Sequence, residues 1–295
     1  MQKIVPHLWF DTQALEAAKK YVSLFEDSKI LSTAMLYDTP SGDAQTVEFQ
    51  LAGIQFAAIS AGPYFQFNAS ISLMVACETK EEVDWFYEAL IEGGSELMPR
   101  GTYDFSQWYA WISDKYGLNW QIMLVENSKE HKRIRPCLLF GMEECGKAQD
   151  AMNFYSDIFQ KSKIGYVNYY KKGEAPDSRA KINYAELELF GFEIVLMDHG
   201  YGGDVTFNEA VSFMIRCEDQ KEIDYFWEKL SFVKEAEACG WVKDSIGLSW
   251  QIIPKMMAEL LSEGTEEELE RVTKAFLEMK KFDIVALEKA RKDEM

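Results

Sequence analysis

Residues 21–30, Tyr-Val-Ser-Leu-Phe-Glu-Asp-Ser-Lys-Ile, return at 155–164 as Tyr-Ser-Asp-Ile-Phe-Gln-Lys-Ser-Lys-Ile. The echo spreads in both directions from that pair. Upstream, Pro6-His7-Leu8-Trp9-Phe10 is answered by Pro136-Cys137-Leu138-Leu139-Phe140. Downstream, Phe67-Asn68 with Ser72 returns as Phe207-Asn208 with Ser212, and Cys77-Glu78 with Glu82 and Asp84 as Cys217-Glu218 with Glu222 and Asp224. Asp114, Gly117-Leu118 and Trp120-Gln121-Ile122 return as Asp244, Gly247-Leu248 and Trp250-Gln251-Ile252. The offset is 130 at both ends and 140 in the middle, so loop insertions are expected to balance. A repeat of this length is a small domain, not a solenoid unit. The chain therefore divides into 1–126, 134–254 and a tail at 255–295, with a polar linker over 125–133.

The 295 residues are enough for two domains, and 47% hydrophobic residues are ample for two cores. Lysine and arginine total 31 against 49 acidic residues, a net charge of −18. That charge repels nucleic acid and anionic membranes, so neither is expected as a partner. The start, Met1 to Pro6, reads as a strand with no signal-peptide core. No apolar run reaches the roughly 18 residues that span a bilayer. Five cysteines (Cys77, Cys137, Cys145, Cys217, Cys239) without a Cys-x-x-Cys fit buried free thiols and a cytoplasmic setting.

Each repeat reads as strand, helix, then two or three strands, twice over. In the first, Ile4–Phe10 is a strand. Asp11 or Thr12 is expected to cap a helix that turns Ala14, Ala17, Ala18, Tyr21 and Phe25 inward. Strands follow at Ile30–Tyr37, Thr46–Ala52, Ile54–Ser60 and Ile71–Cys77. Thr79-x-x-Glu82 is a capping box for a helix that buries Val83, Phe86, Tyr87 and Leu90. Strands near Tyr109–Ser113 and Leu118–Leu124 close the unit. Asp219-x-x-Glu222 marks the same helix in the second repeat. In the tail, Thr265-x-x-Glu268 caps a helix striped with Leu269, Val272, Phe276 and Met279. Asp283 caps another, stapled by Phe282 and Leu287.

These motifs, with Gly240-Trp241-x-x-Asp244-x-x-Gly247-x-Ser249-Trp250-Gln251 and Met279-Lys280-Lys281-Phe282-Asp283-Ile284, resemble the PhnB-like branch of the vicinal-oxygen-chelate superfamily. That superfamily also holds glyoxalase I, extradiol dioxygenases, fosfomycin-inactivating enzymes and bleomycin-binding proteins. The resemblance implies an α+β fold of tandem domains, each of paired βαβββ modules whose curved sheets enclose a pocket. It also implies an internal pseudo-dimer, with a further homodimer left open. The branch often carries the label 3-demethylubiquinone 3-methyltransferase. The chain has no Gly-x-Gly-x-x-Gly after a strand, hence no recognisable loop for the nucleotide of a methyl donor.

In the metal enzymes of the superfamily, His and Glu from matching strands hold a divalent ion. Carried over, those positions fall on His7, Ser72 and Gln121, and on Cys137, Ser212 and Gln251. Hydroxyl and amide are poor donors beside imidazole and carboxylate, so no metal and no other cofactor are expected. A non-standard set of Cys137, Asp198 and His199 remains as the alternative, against a reading of Asp198-His199 as a turn cap. Strand alternation places His7, Trp9, Ser72, Met74 and Gln121 in a first-repeat pocket, and Cys137, Leu139, Ser212, Met214 and Gln251 in a second. Trp120 and Trp250 are expected in the core, while Trp111 and Trp241 are divided between core and pocket wall. The expected function is binding of a small hydrophobic or aromatic molecule without a metal. The alternative is a metal-dependent lyase or dioxygenase.

Overall fold

The computed structural model describes residues 2–126, 131–203 and 205–293. The middle of the expected linker lies outside them. The first repeat opens with β1 (Ile4–Phe10), α1 (Ala14–Val22), β2 (Lys29–Thr39), β3 (Gly42–Leu51) and β4 (Ile54–Ser60). It continues with β5 (Ile71–Cys77), α2 (Lys80–Ile91), β6 (Ser95–Tyr103), β7 (Ser106–Ser113) and β8 (Asn119–Leu124). The second opens with β9 (Ile134–Phe140), α3 (Ala148–Ile158), β10 (Ser162–Tyr169), β11 (Ile182–Leu189) and β12 (Phe192–Asp198). Then come β13 (Val211–Cys217), α4 (Gln220–Leu230), β14 (Trp241–Lys243) and β15 (Ser249–Pro254). The tail holds α5 (Met257–Leu260), α6 (Glu266–Glu278) and α7 (Ile284–Lys292).

Four helix starts follow local chemistry, while α1 and α3 are capped from a distance, α3 by Asp198 accepting from the Ala148 N–H at 3.1 Å. Thr79 accepts from the Glu82 N–H while Glu82 reaches back to the Glu78 N–H, and Asp219 and Glu222 repeat the arrangement. Thr265 with Glu268 forms a full capping box, and Asp283 caps α7. α1 departs from the expected cap. Neither Asp11 nor Thr12 caps it; the Ser60 hydroxyl, at the end of β4, accepts from the Ala14 N–H at 3.0 Å. An orphan donor at a helix start is satisfied by whatever oxygen lies nearest in space, not in sequence.

The strands gather into two sheets, and each sheet is built from both repeats. One runs β14-β15-β13-β1-β4-β3-β2, the other β10-β11-β12-β9-β5-β8-β7-β6. The seams between repeats are antiparallel. His7 lies opposite Ser212 on β13, and Cys137 opposite Ser72 on β5. Two asparagines fasten the join reciprocally. Asn68 Nδ2 donates to the Thr206 carbonyl at 3.0 Å and Asn208 Nδ2 to the Gln66 carbonyl at 2.8 Å. That is the role of the repeated Phe-Asn motif. The tandem chain is thus its own pseudo-dimer.

Helices stay within their repeats. Phe25 of the first stacks on Phe86 at 4.7 Å, and Phe159 of the second packs on Phe226 at 5.3 Å. Each helix pair rests on a fully buried tryptophan, Trp120 or Trp250. A buried aspartate ties the two modules of each repeat. Asp114 accepts from Tyr21 Oη at 2.7 Å, Trp120 Nε1 at 2.8 Å and the N–H groups of Tyr116 and Leu118. Asp244 does the same for Tyr155, Trp250, Ile246 and Leu248. The sequence pattern Tyr…Asp-x-x-Gly-Leu-x-Trp is this network.

The offset drift has a structural cause that loop balancing did not anticipate. The ten residues lost between Cys217 and Asp244 remove the counterpart of β6, so one sheet has seven strands and the other eight. The tail takes the vacated edge. Cys239 N–H donates to the Met279 carbonyl at 2.8 Å and Gly240 N–H to the Lys280 carbonyl at 2.7 Å. Gly240 sits at φ +83°, and a Cβ there would collide with the Phe282 ring. Among the described residues no helix is long and apolar enough to cross a membrane.

Candidate functional site

Alternation along β1 turns Ile4, Leu8 and Phe10 towards the helices and leaves Val5, His7 and Trp9 on the concave face. The register then decides their company. Ser212 and Met214 come alongside from β13, and Gln251 follows from β15. Trp241 of β14 lies opposite Gln251. In the other sheet, Cys137 and Leu139 of β9 meet Ser72 and Met74 of β5 and Gln121 of β8. All ten expected residues therefore lie on the sheet faces turned away from the helices, but they group across the repeats and not within each one. His7 and Trp9 share a face with Ser212, Met214 and Gln251; Ser72, Met74 and Gln121 share one with Cys137 and Leu139. The reason is the seam: each module finds its sheet partner in the other repeat.

The His7 face is aromatic. Trp241 meets His7 edge-to-face at 5.6 Å and Trp9 at 6.3 Å, and Phe65 meets Trp9 at 5.0 Å. Trp9 is held by its Nε1 donating to the Gly62 carbonyl at 2.8 Å. His7 is 7% exposed, and its Nδ1 finds no partner among the described residues. Burial lowers its pKa to about 3, so the imidazole is neutral at any physiological pH. Beside it Gln251 Nε2 donates to Ser212 Oγ at 3.0 Å.

The Cys137 face is softer and more polar at one end. Tyr109 Oη donates to Gln121 Oε1 at 2.8 Å, and Gln121 Nε2 to Ser72 Oγ at 2.8 Å. Burial holds the Tyr109 phenol well above its ordinary value, which keeps it a donor. Cys137 is fully buried, its thiol pushed up to about 12, and Sγ lies 3.5 Å from Met197 Sδ. The other repeat has Cys239 where this one has Tyr109, so the phenol-to-glutamine hydrogen bond is not repeated at that position.

Each face also carries an arginine–glutamate pair that repeat comparison hides. Arg216 donates to Glu48 at 2.9 Å and to Gln55 at 2.6 Å. Arg135, 3% exposed, donates to Glu186 at 2.9 Å. Burial opposes ionisation of Glu186, but Tyr184, Arg135 and the Tyr166 N–H together hold its carboxyl below the ordinary range. The glutamates are equivalent between repeats, and a charge inside Val47-Glu48-Phe49 and Ala185-Glu186-Leu187 was the available signal. The arginines are not equivalent. Arg135 corresponds to Val5 and Arg216 to Ala76.

The alternative set of Cys137, Asp198 and His199 does not form. Cys137 lies beside Val195, level with it on β12, and Asp198 is three residues further on, turned to the opposite face. Its carboxylate is consumed by four backbone N–H groups, those of Gly146, Ala148, Lys181 and Ile182. Among the described residues no three His, Cys, Asp or Glu side chains come together as a metal cluster. Trp120 and Trp250 are core residues, as their alternation away from the glutamines requires.

A family model described as 3-demethylubiquinone-9 3-methyltransferase matches residues 2–123 and again 132–253. Among solved structures, a putative 3-demethylubiquinone-9 3-methyltransferase, PhnB protein, from Bacillus cereus is 37% identical over 42% of this chain and 100% of its own, with a TM-score of 0.39. A protein from Staphylococcus aureus is 33% identical over 43% of this chain and 98% of its own, with a TM-score of 0.19. Glyoxalase I from Zea mays covers 89% of this chain and 98% of its own at 12% identity, with a TM-score of 0.55. No curated protein matches.

Proposed function

Because the chain belongs to the PhnB-like family whose model is described as 3-demethylubiquinone-9 3-methyltransferase, in two tandem copies within the vicinal-oxygen-chelate superfamily, we propose that its concave faces are its working surfaces. Of the two, we take the His7 face to bind a small, uncharged, planar molecule without a metal. The observation that carries this reading is the buried, unpartnered Nδ1 of His7. A buried polar atom left without a hydrogen bond costs about 1–3 kcal/mol, and a ligand N–H or O–H donated to it would recover that. Trp9 and Trp241 offer aromatic surface to the same ligand. An apolar wall with a few orienting polar groups is the usual make-up of a small-molecule site.

The donor set speaks against a divalent metal. Each face has one thiol or imidazole donor beside weakly binding methionine thioethers, and its glutamine and serine are already bonded to each other. The nearby carboxylates, Glu48 and Glu186, are held by arginines. A zinc-type site needs about four good donors.

A thermal-shift screen of small phenols and heteroaromatic N–H compounds tests the reading. Hits on the full-length protein should lose most of their shift in His7→Phe, which keeps the bulk but removes the acceptor. Shifts that survive His7→Phe and Trp241→Leu alike place the ligand elsewhere. A metal saturating the native state at a hundredfold excess would add about 2.7 kcal/mol. A shift of that size with zinc, nickel, iron or manganese, lost in His7→Ala or Cys137→Ala, would replace this reading with the metal-dependent lyase or dioxygenase.

A further inference from the structure

We infer that the C-terminal segment is the outer wall of the His7 face, in the place that the β6–β7 hairpin takes at the Cys137 face. The inference deepens the reading of the His7 face as a binding site and rests on it only for the ligand.

The argument begins with the missing strand. In the first repeat the β6–β7 hairpin brings Tyr103 and Phe105 over Tyr109, with ring centroids 5.6 and 4.9 Å away. The second repeat lacks that hairpin, and the backbone of Met279 and Lys280 occupies the edge instead. Cys239 Sγ adds a contact to the Leu277 carbonyl, and Phe282 is buried against Gly240. The next residue is Trp241, which touches both His7 and Trp9. The end of α6 is therefore anchored one residue from the wall of the candidate site.

α6 packs chiefly on α7 and also touches β2. β14 and β2 are the two terminal strands of their sheet. Laid flat, seven strands would put them roughly 29 Å apart, beyond the roughly 20 Å length of α6. Anchored at Met279 and Lys280 beside β14 and touching β2 through α6, the tail joins the two edges of the sheet, and its crossing is assigned to the side away from α1 and α4. The convex side is already taken by α1 and α4. Val272 and Phe276, on the inward stripe of α6, are buried. The other sheet ends in β10 and β6, and no helix joins those two strands among the element pairs in contact. Tyr166, Tyr169, Leu97 and Phe105 stand exposed there.

Ligand exchange at His7 then requires the tail to move, and exchange at Cys137 does not. The test needs no ligand, so its failure is separate from failure of the binding reading. Diethylpyrocarbonate modifies neutral imidazoles, and mass spectrometry resolves His7 from the more exposed His131 and His199. In full-length Phe282→Ala, the His7 rate should rise at least tenfold. His131 and His199 should stay unchanged, and N-ethylmaleimide labelling of Cys137 should change less than twofold. Tryptic cleavage at Lys280–Lys281 reports that the tail is released. A released tail with an unchanged His7 rate overturns the inference, as does a parallel rise at Cys137. If the variant does not fold, the wild-type chain in sub-denaturing urea carries the test. His7 labelling must rise with cleavage at Lys280–Lys281 and before Cys137; a simultaneous rise of both overturns the inference.

Discussion

At the scale of single residues, His7 makes a prediction with a definite sign. Burial depresses its pKa from 6.5 to about 3, so between those values the unfolded chain binds a proton that the folded chain does not. Stability from this group is present above pH 6.5 and is lost as pH falls, by about 1.4 kcal/mol per unit. Asp114 and Asp244 are shifted upward by burial and act oppositely on acidification. The measurement is therefore a difference: urea unfolding of wild type minus His7→Gln at pH 7, 6, 5 and 4. That difference should move against wild type by about 1 kcal/mol per unit below pH 6.5; a flat line means that His7 is not held neutral. The aspartate networks predict larger losses. Tyr155→Phe should cost about 1–2 kcal/mol. Asp244→Ala strands two side-chain donors and two backbone N–H groups and should cost about 4 kcal/mol. Part of this scale was legible in the sequence. Strand alternation put all ten candidate residues on the faces away from the helices, because a period of two is fixed by the backbone. The arginine partners were not legible, because Arg135 and Arg216 have no counterparts in the other repeat and their glutamates lie on other strands.

At the scale of elements, helix starts written into adjacent residues were readable and the two supplied from a distance, α1 by Ser60 and α3 by Asp198, were not. Thr79, Asp219, Thr265 and Asp283 each cap the helix three residues on. Ser60 caps α1 from 46 residues away, which no local pattern announces. Ser60→Ala should therefore destabilise by about 1 kcal/mol. Thr12→Ala should fall within about 0.5 kcal/mol of wild type. Equal losses for the two, in chemical denaturation, would mean that the cap is local after all. The strand β6 escaped the reading for a related reason. Ser-Glu-Leu-Met-Pro-Arg-Gly-Thr-Tyr shows weak alternation and holds proline and glycine, and it is an edge strand with register shifts. Edges tolerate such residues because one side of the ladder is unpaired. Its absence from the second repeat was visible only as a ten-residue drift in offset, which loops alone would equally have produced.

At the scale of the whole molecule, the repeat announced two domains and the family resemblance an internal pseudo-dimer, while hydrophobic pattern alone had no means of announcing which strands pair across the repeats. Both repeats carry the same strands, so pairing within a repeat and pairing across repeats are the same pattern of hydrophobicity. Register against β13 and β5 decides it, through the reciprocal asparagines and the seams. With two seams, neither repeat has a sheet of its own to fall back on. Calorimetry should show one cooperative transition, and Asp244→Ala should shift that whole transition downward. Two resolved transitions, with only one moved, would show that the repeats fold independently.

The seams also impose an order of events during synthesis. β1 leaves the ribosome before either of its sheet neighbours, and β4 reaches it soon afterwards. Its other neighbour, β13, is more than 200 residues further along the chain. At about 5–20 residues per second, one side of β1 waits on the order of 10–40 s for its partner. During that interval two nascent chains on one messenger present each other with the same unfilled edge. The second copy of the domain, translated from the same message, is what ends the wait in the right way.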